Sequence, residues 1–157
     1  MKQLFIKAKL TKQLIVFLTL LALCITVLLT SLTSEARDYG DLEKVELKPC
    51  YDGDTCTFDI PGLHPIIGED ISVRLRGLDT PEIKGKCQKE RDLAIKARDR
   101  LRVLLKGKHI ILKDIVRGNY FRIVATLIAN GQDVSEILIR EGLARPYGGG
   151  KRKGWCL

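Results

Sequence analysis

The stretch Arg74-Leu-Arg-Gly-Leu-Asp-Thr-Pro-Glu82 limits what this 157-residue chain can fold into more than any other part of it. Ile71, Val73 and Leu75 alternate with Ser72, Arg74 and Arg76, and a period of two puts the apolar set on one face of a strand and the polar set on the other. Pro81 disfavours the α region at Thr80 and turns the chain. Asp79 and Glu82 can therefore converge at the strand end instead of being strung along it. A second acidic group, Asp52-Gly-Asp-Thr55, separates two short strand-like runs, and Asp-Gly at that place signals a hairpin turn. The fold has to bring one strand end and one hairpin tip together.

The remaining elements follow in order. Strands are expected at Val45–Tyr51 and Thr55–Ile60, then a break over Pro61-Gly-Leu-His-Pro-Ile-Ile-Gly68, then a third strand at Ile71–Arg76. From Gln88 to Lys106, the residues Leu93, Ala94, Ala97, Leu101, Leu104 and Leu105 recur at helical spacing with charges on the other faces, and Gly107 ends the run. Strands are expected again at His109–Val116 and Tyr120–Ala129, the second ending in Asn130-Gly131. Asp133 and Glu136 form a capping-box-like start to a short helix through Glu141. Five strands with a helix inserted after the third is the order of an α+β, five-stranded OB-fold Greek-key β-barrel with two packed helices. A hydrophobic N-terminal helix precedes it.

That N-terminal part cannot belong to a water-facing core. Residues 14–34 carry no charge and follow four lysines, so residues 1–36 read as a signal peptide or an N-terminal membrane anchor. Ser34-Glu-Ala36 supplies a small-x-small cleavage site, and the two outcomes stay open. Residues 37–44 are expected to form a linker and residues 45–157 the folded domain, a monomer lying outside the cytoplasm. The net charge is +8. Setting aside residues 1–36, with Lys2, Lys7, Lys9 and Lys12 against Glu35, lowers it to +5. A moderately basic domain suits a polyanion, although a solvated cationic surface would give the same count. Outside Cys24 there are four cysteines, an even number as expected where disulfides persist. A hairpin turning at Gly53 opposes Cys50 to Cys56, close enough to bridge, and leaves Cys87 to pair with Cys156. A zinc site is disfavoured, because no Cys-x-x-Cys pair or nearby histidine is present.

Carboxylates with a backbone carbonyl are hard oxygen donors, which suit Ca²⁺ or Mg²⁺. Guanidinium forks match phosphate oxygens in pairs. Each such residue also has a plain structural role: Asp54 in a turn, Arg74 paired with Glu82, Asp79 capping the Thr-Pro turn, Arg122 as an edge-strand charge. His64 and His109 are the two histidines, a loop and a strand start, which argues against a metal-free acid–base pair. Lys151-Arg-Lys153 reads as a solvated tail, and Trp155 as a cover for the barrel.

Asp52-Gly-Asp-Thr55, Arg74 with Asp79-Thr-Pro-Glu82, Arg122 before an apolar strand, and Glu141-Gly-Leu-Ala144 together resemble the staphylococcal nuclease (thermonuclease) family, from Val45 to Tyr147. The resemblance implies a Ca²⁺-dependent nuclease acting on DNA and RNA with little sequence preference and leaving 3′-phosphate ends. It implies Asp54, Asp79 and the Thr80 carbonyl as Ca²⁺ ligands and Glu82 as the group that activates or positions the attacking water. Arg74 and Arg122 become the phosphate-gripping arginines, and Tyr120 a neighbour of the nucleotide. The alternative is a non-catalytic OB-fold nucleic-acid-binding module, exported or anchored to the membrane through residues 14–34.

Overall fold

The computed structural model describes residues 12–25 and 39–156. The chain divides between Ala36 and Arg37 into two units, taken here separately. In the first, residues 12–25 are helical (α1), with Leu14, Phe17, Leu21 and Ile25 among its exposed apolar side chains. Among the described residues no helix is long and apolar enough to cross a membrane. Residues 26–34 of the uncharged segment and the Ser34–Ala36 cleavage site lie outside the described residues.

The second unit is an α+β half-barrel. Its strands β1 (Glu46–Cys50), β2 (Thr55–Asp59), β3 (Ile71–Leu75), β5 (Ile110–Arg117) and β6 (Ile123–Ala129) form a strongly curled sheet in the order β1-β2-β3-β6-β5, with the two-residue β7 (Gln132–Asp133) added to β6. Neighbours are antiparallel except β3 and β6, which run parallel with Arg74 beside Val124. A parallel pair needs a long crossover. Here it includes the two-residue β4 (Leu78–Asp79), the helix α3 (Gln88–Leu105) and β5. The curl brings the far edges close: Leu42, ahead of β1, exchanges two backbone hydrogen bonds of 2.9 Å with Leu112 of β5. With the Asp41–Lys113 ion pair at 3.0 Å, this pins to the barrel a stretch that reads in the sequence as a free linker.

The core is built from the alternating residues. Phe58, Val73, Leu75, Leu112, Ala125 and Leu127 point inward from the sheet, and Ala94, Ala97, Leu101 and Leu105 from one stripe of α3. Each buried leucine contributes about 1.5–3 kcal/mol relative to an exposed one. The helix α4 (Val134–Arg140) adds Val134 and Leu138, and its N-cap Asp133 accepts from the Ser135 N–H at 2.7 Å and the Glu136 N–H at 3.4 Å. A short helix, α2 (Pro65–Gly68), lies in the proline-bounded loop, and the two-residue β8 (Arg145–Pro146) pairs with β4.

One expected strand is shorter than its pattern. Tyr120 and Phe121 both have φ of 58°, and the Gly118 and Arg122 amides close a tight turn with 2.8 and 3.3 Å bonds. β6 therefore begins at Ile123, and Tyr120 projects from the turn 96% exposed.

Candidate active site

The hairpin tip between β1 and β2 carries the first acids. Tyr51 N–H bonds the Thr55 carbonyl at 3.0 Å, Cys50 and Cys56 sit opposite each other in register, and a disulfide joins them. Within the tip, Asp52 Oδ1 accepts the Asp54 N–H at 3.1 Å and Asp54 Oδ1 accepts the Thr55 hydroxyl at 2.8 Å. Gly53 presses against the body of the domain. A Cβ there would lie 2.7 Å from the Ala97 Cβ of α3 and 3.0 Å from Thr80 Cγ2. Glycine is needed for that approach, and the approach brings the first acidic cluster against the second.

Arg74 is the joint between the two clusters. Its Nη1 lies 2.5 Å from Asp54 Oδ2, and its Nη2 donates to the Leu78 carbonyl at 3.5 Å. Asp54 is 1% exposed, and Oδ2 has the ion pair but no directed hydrogen bond. The plain structural role open to Arg74, a pair with Glu82, is not the one the fold uses: its partner is Asp54. The Asp52 carboxyl is pushed up to about 6, first by burial and then by the neighbouring charge of Asp54, with Glu82 adding to it. Burial and the neighbouring carboxylates thus disfavour a further negative charge on Asp52 at the hairpin tip.

The second cluster is set by β4 and the turn after it. Asp79 and Thr80 are buried at 4% and 1%, and β4 is held in place by β8, with Asp79 opposite Arg145. The loop after Glu82 is fastened to α3: the buried Glu90 accepts the Lys86 N–H at 2.9 Å and the Glu82 N–H at 3.5 Å. Arg91 closes the same loop by donating to the Gly85 carbonyl at 3.0 Å.

What occupies the centre of the second cluster was not visible in the residue pattern. Arg152, from the basic tail, donates through Nε to Asp79 Oδ1, through Nη1 to Glu82 Oε1 and through Nη2 to the Thr80 carbonyl, the last at 3.4 Å. Partial burial works against its charge, but the hydrogen bonds to Glu82 and Asp79 outweigh that and hold its pKa above the ordinary arginine value. Trp155, 8% exposed, donates its indole N–H to Asp79 Oδ2 at 3.1 Å. It is expected to cover the barrel; in the fold it orients a site carboxylate. The Arg145 guanidinium stacks on its ring at 3.7 Å, and a disulfide ties Cys156 to Cys87. The tail therefore reaches the site through Arg152 and Trp155, while Lys151 and Lys153 stay exposed as expected of a solvated tail. One signal for this was present: Cys87 lies five residues past Glu82, and Arg152 lies four residues before Cys156, a reach of about 14 Å.

The fold thus brings together Asp54 with Arg74, and Asp79 with Thr80 and Glu82. Among the described residues, neither Arg122 nor Tyr120 makes a hydrogen bond or ion pair with these acids. Arg122 sits just ahead of β6, half-buried, with a buried Nε that has no hydrogen-bond partner. A side chain as open as Tyr120 is not held against the acids; the tight turn at 118–122 carries it away from the strand. Beside Asp79 lies a cavity of about 430 Å³ lined also by Arg145, Tyr147, Lys151 and Lys153, a cationic wall next to the acids. The Cys87 and Cys156 sulfurs lie within 4.8 Å of a Glu90 oxygen, but the disulfide leaves no thiolate to ligate a metal.

The residues fit a hard divalent cation. Asp79 Oδ1, Glu82 Oε1 and the Thr80 carbonyl converge on a single positive centre, while the buried Asp54 Oδ2 is paired with Arg74 at 2.5 Å and, among the described residues, does not close with Asp79 and Glu82 into one three-carboxylate cage. All of these donors are oxygen, the set that selects Ca²⁺ or Mg²⁺ over softer ions.

Comparison with known proteins bears on this arrangement. The model of the staphylococcal nuclease homologue family matches residues 72–153, a span that includes Arg74, Asp79, Thr80, Glu82, Arg122 and Arg152 and leaves out the hairpin tip. A staphylococcal-like nuclease of Arabidopsis thaliana is 30% identical over 82 residues, 52% of this chain and 24% of that protein. An uncharacterized 38.1 kDa protein of Capnoides sempervirens is 29% identical over 111 residues, 71% of this chain and 31% of that protein. The chain thus spans less than a third of the length of these curated relatives.

Proposed function

Because the chain belongs to the staphylococcal nuclease homologue family, we propose that its half-barrel domain hydrolyses phosphodiester bonds in DNA and RNA, using Ca²⁺, with little sequence preference and leaving 3′-phosphate ends. The observation that carries this reading is the convergence of Asp79, the Thr80 carbonyl and Glu82 on one point of positive charge, beside the buried Asp54–Arg74 pair.

In this proposal Asp54, Asp79 and the Thr80 carbonyl hold Ca²⁺. When bound, the ion supplies charge that neutralises a phosphodiester oxygen and orders water near it. Glu82, half exposed and fixed at its own N–H by Glu90, accepts a proton from the attacking water. Arg74, restrained by Asp54 and the Leu78 carbonyl, presents its fork to the phosphate as charge builds up in the in-line transition state. Arg122 is the second phosphate donor, its half-buried side chain offering a guanidinium fork to a phosphate oxygen. Tyr120, standing in solvent, offers a face on which a base can stack. Contacts of this kind read the backbone, so binding should be steeply salt-dependent.

Export belongs to the same proposal. Residues 14–34 would direct the domain out of the cytoplasm and then be cleaved or kept as an anchor, and the two disulfides support an oxidising compartment. The mass of the mature protein separates the two fates.

The test of the activity is digestion of denatured DNA with Ca²⁺, with and without chelator. Wild type should cut only with the ion, and Glu82→Ala should lose about 10²–10⁴-fold in rate while still binding DNA. Cutting that survives chelation overturns the metal-dependent reading. Binding without cutting under any divalent ion makes the domain a nucleic-acid-binding module instead.

A further inference from the structure

We propose that Arg152 is an internal cation that competes with the divalent ion for Asp79, Thr80 and Glu82, and so sets the concentration at which the site loads. The inference rests on reading the acid cluster as a metal site.

The guanidinium engages the oxygen set that this reading assigns to the ion and its neighbour: Asp79 Oδ1, the Thr80 carbonyl and Glu82 Oε1. A guanidinium and a divalent cation cannot both sit in contact with one small oxygen cage, because their mutual repulsion would be felt over a few ångström in a partly desolvated place. Loading the site therefore means moving Arg152 away.

The strap that carries Arg152 is fixed at both ends. Tyr147 N–H bonds the Gly77 carbonyl at 2.9 Å. Beyond Arg152 the chain is held by the Trp155–Asp79 bond, by the Arg145–Gly154 bond at 3.0 Å and by the Cys87–Cys156 disulfide. Competition by a group tethered this closely is intramolecular, with an effective concentration in the millimolar range or above. Between the anchors run Gly148, Gly149 and Gly150, the last two with φ of +103° and +86°, and Tyr147 closes that turn by donating its hydroxyl to the Gly150 carbonyl at 2.7 Å. The hinge is formed of residues with the widest backbone freedom. Arg152 can swing out while Trp155 and the disulfide stay in place. Its flanking Lys151 and Lys153 are exposed and line the cavity beside Asp79, so the displaced guanidinium would join a surface that already faces anions.

The test is a Ca²⁺ titration of the full chain, read by calorimetry and by the fluorescence of Trp155, the single tryptophan, whose indole bonds Asp79. Arg152→Gln should bind Ca²⁺ at least about tenfold more tightly than wild type, the scale expected for removing charge-assisted hydrogen bonds that the ion must break. Arg152→Lys, which keeps the charge with fewer donors, should fall between the two. Asp79→Asn should lose binding in each background. Far-UV circular dichroism checks that the variants are folded. Equal or weaker Ca²⁺ binding by Arg152→Gln overturns the inference while leaving the metal site standing. Absence of binding by wild type and Arg152→Gln alike overturns the metal reading itself, and this inference with it.

Discussion

Replacing Gly53 by alanine tests how the two acidic clusters are held together. The backbone at Gly53 is outside the left-handed region, so an added methyl meets no conformational barrier of its own. It meets the Ala97 Cβ at 2.7 Å, Thr80 Cγ2 at 3.0 Å and Thr80 Cβ at 3.1 Å. Ala97 and Thr80 are both essentially fully buried and cannot yield without moving α3 or the Asp79–Glu82 turn. Overpacking of this kind costs about 1–3 kcal/mol, which for a domain of this size lowers Tm by about 4 °C per kcal/mol. Ala97→Gly alone should also destabilise, by about 1 kcal/mol for a helix-interior glycine. In the double variant the methyl has moved from helix to turn, so the sharpest clash is gone and the losses should fall short of their sum by at least about 1 kcal/mol. Urea unfolding of the four proteins, with equal m-values, measures this coupling. A Gly53→Ala protein within about 0.5 kcal/mol of wild type, or strictly additive losses, would refute the claim that the hairpin tip is seated against α3 and Thr80.

Other consequences follow from the same contacts. Glu90→Ala should leave the Lys86 amide without its 2.9 Å acceptor, costing about 1–3 kcal/mol and speeding hydrogen exchange at that amide, whereas Glu90→Gln, which keeps one acceptor oxygen, should do less; unchanged exchange in Glu90→Ala would contradict the clamp. Arg100 binds Glu141 in a two-pronged pair at 2.7 and 2.8 Å, and that hydrogen bonding, working against partial desolvation, holds the Glu141 carboxyl below its usual value. A lowered carboxyl contributes stability that is present above the unfolded pKa and is lost as pH falls through the folded one. Arg100→Ala should therefore cost less than about 1 kcal/mol at pH 7, since the pair is partly exposed, and the difference from wild type should vanish on acidification below the ordinary glutamate range. A deficit that persists in acid would show that the arginine acts through packing instead.

Legibility differed from one element to the next. The strand Ile71–Leu75 and the stripe of α3 were readable because a buried face repeats at the period of its backbone, and the Cys50–Cys56 pairing because a two-stranded hairpin fixes which residues oppose each other. The start of β6 was not readable: Tyr120 and Phe121 are good strand formers, and the turn over 118–122 overrides that preference with backbone hydrogen bonds. Arg74 was legible as a site residue but not its partner, because pairing Arg74 with Asp54 depends on β2 lying beside β3 with Thr55 opposite Arg74. Arg152 looked like one charge in a basic run. Its place became visible only when the Cys87–Cys156 bridge and buried Trp155 folded the tail back over Asp79.

The sequence by itself determined the inventory: oxygen donors and guanidinium groups of the right chemistry, and strands and helices whose apolar faces could close around one core. Tertiary structure alone decided which of those charges meet. Periodicity is a property of neighbours along the chain, whereas an ion pair between Arg74 and Asp54, or three contacts from Arg152, joins residues that only the curl of the sheet and a covalent staple bring within a few ångström of each other.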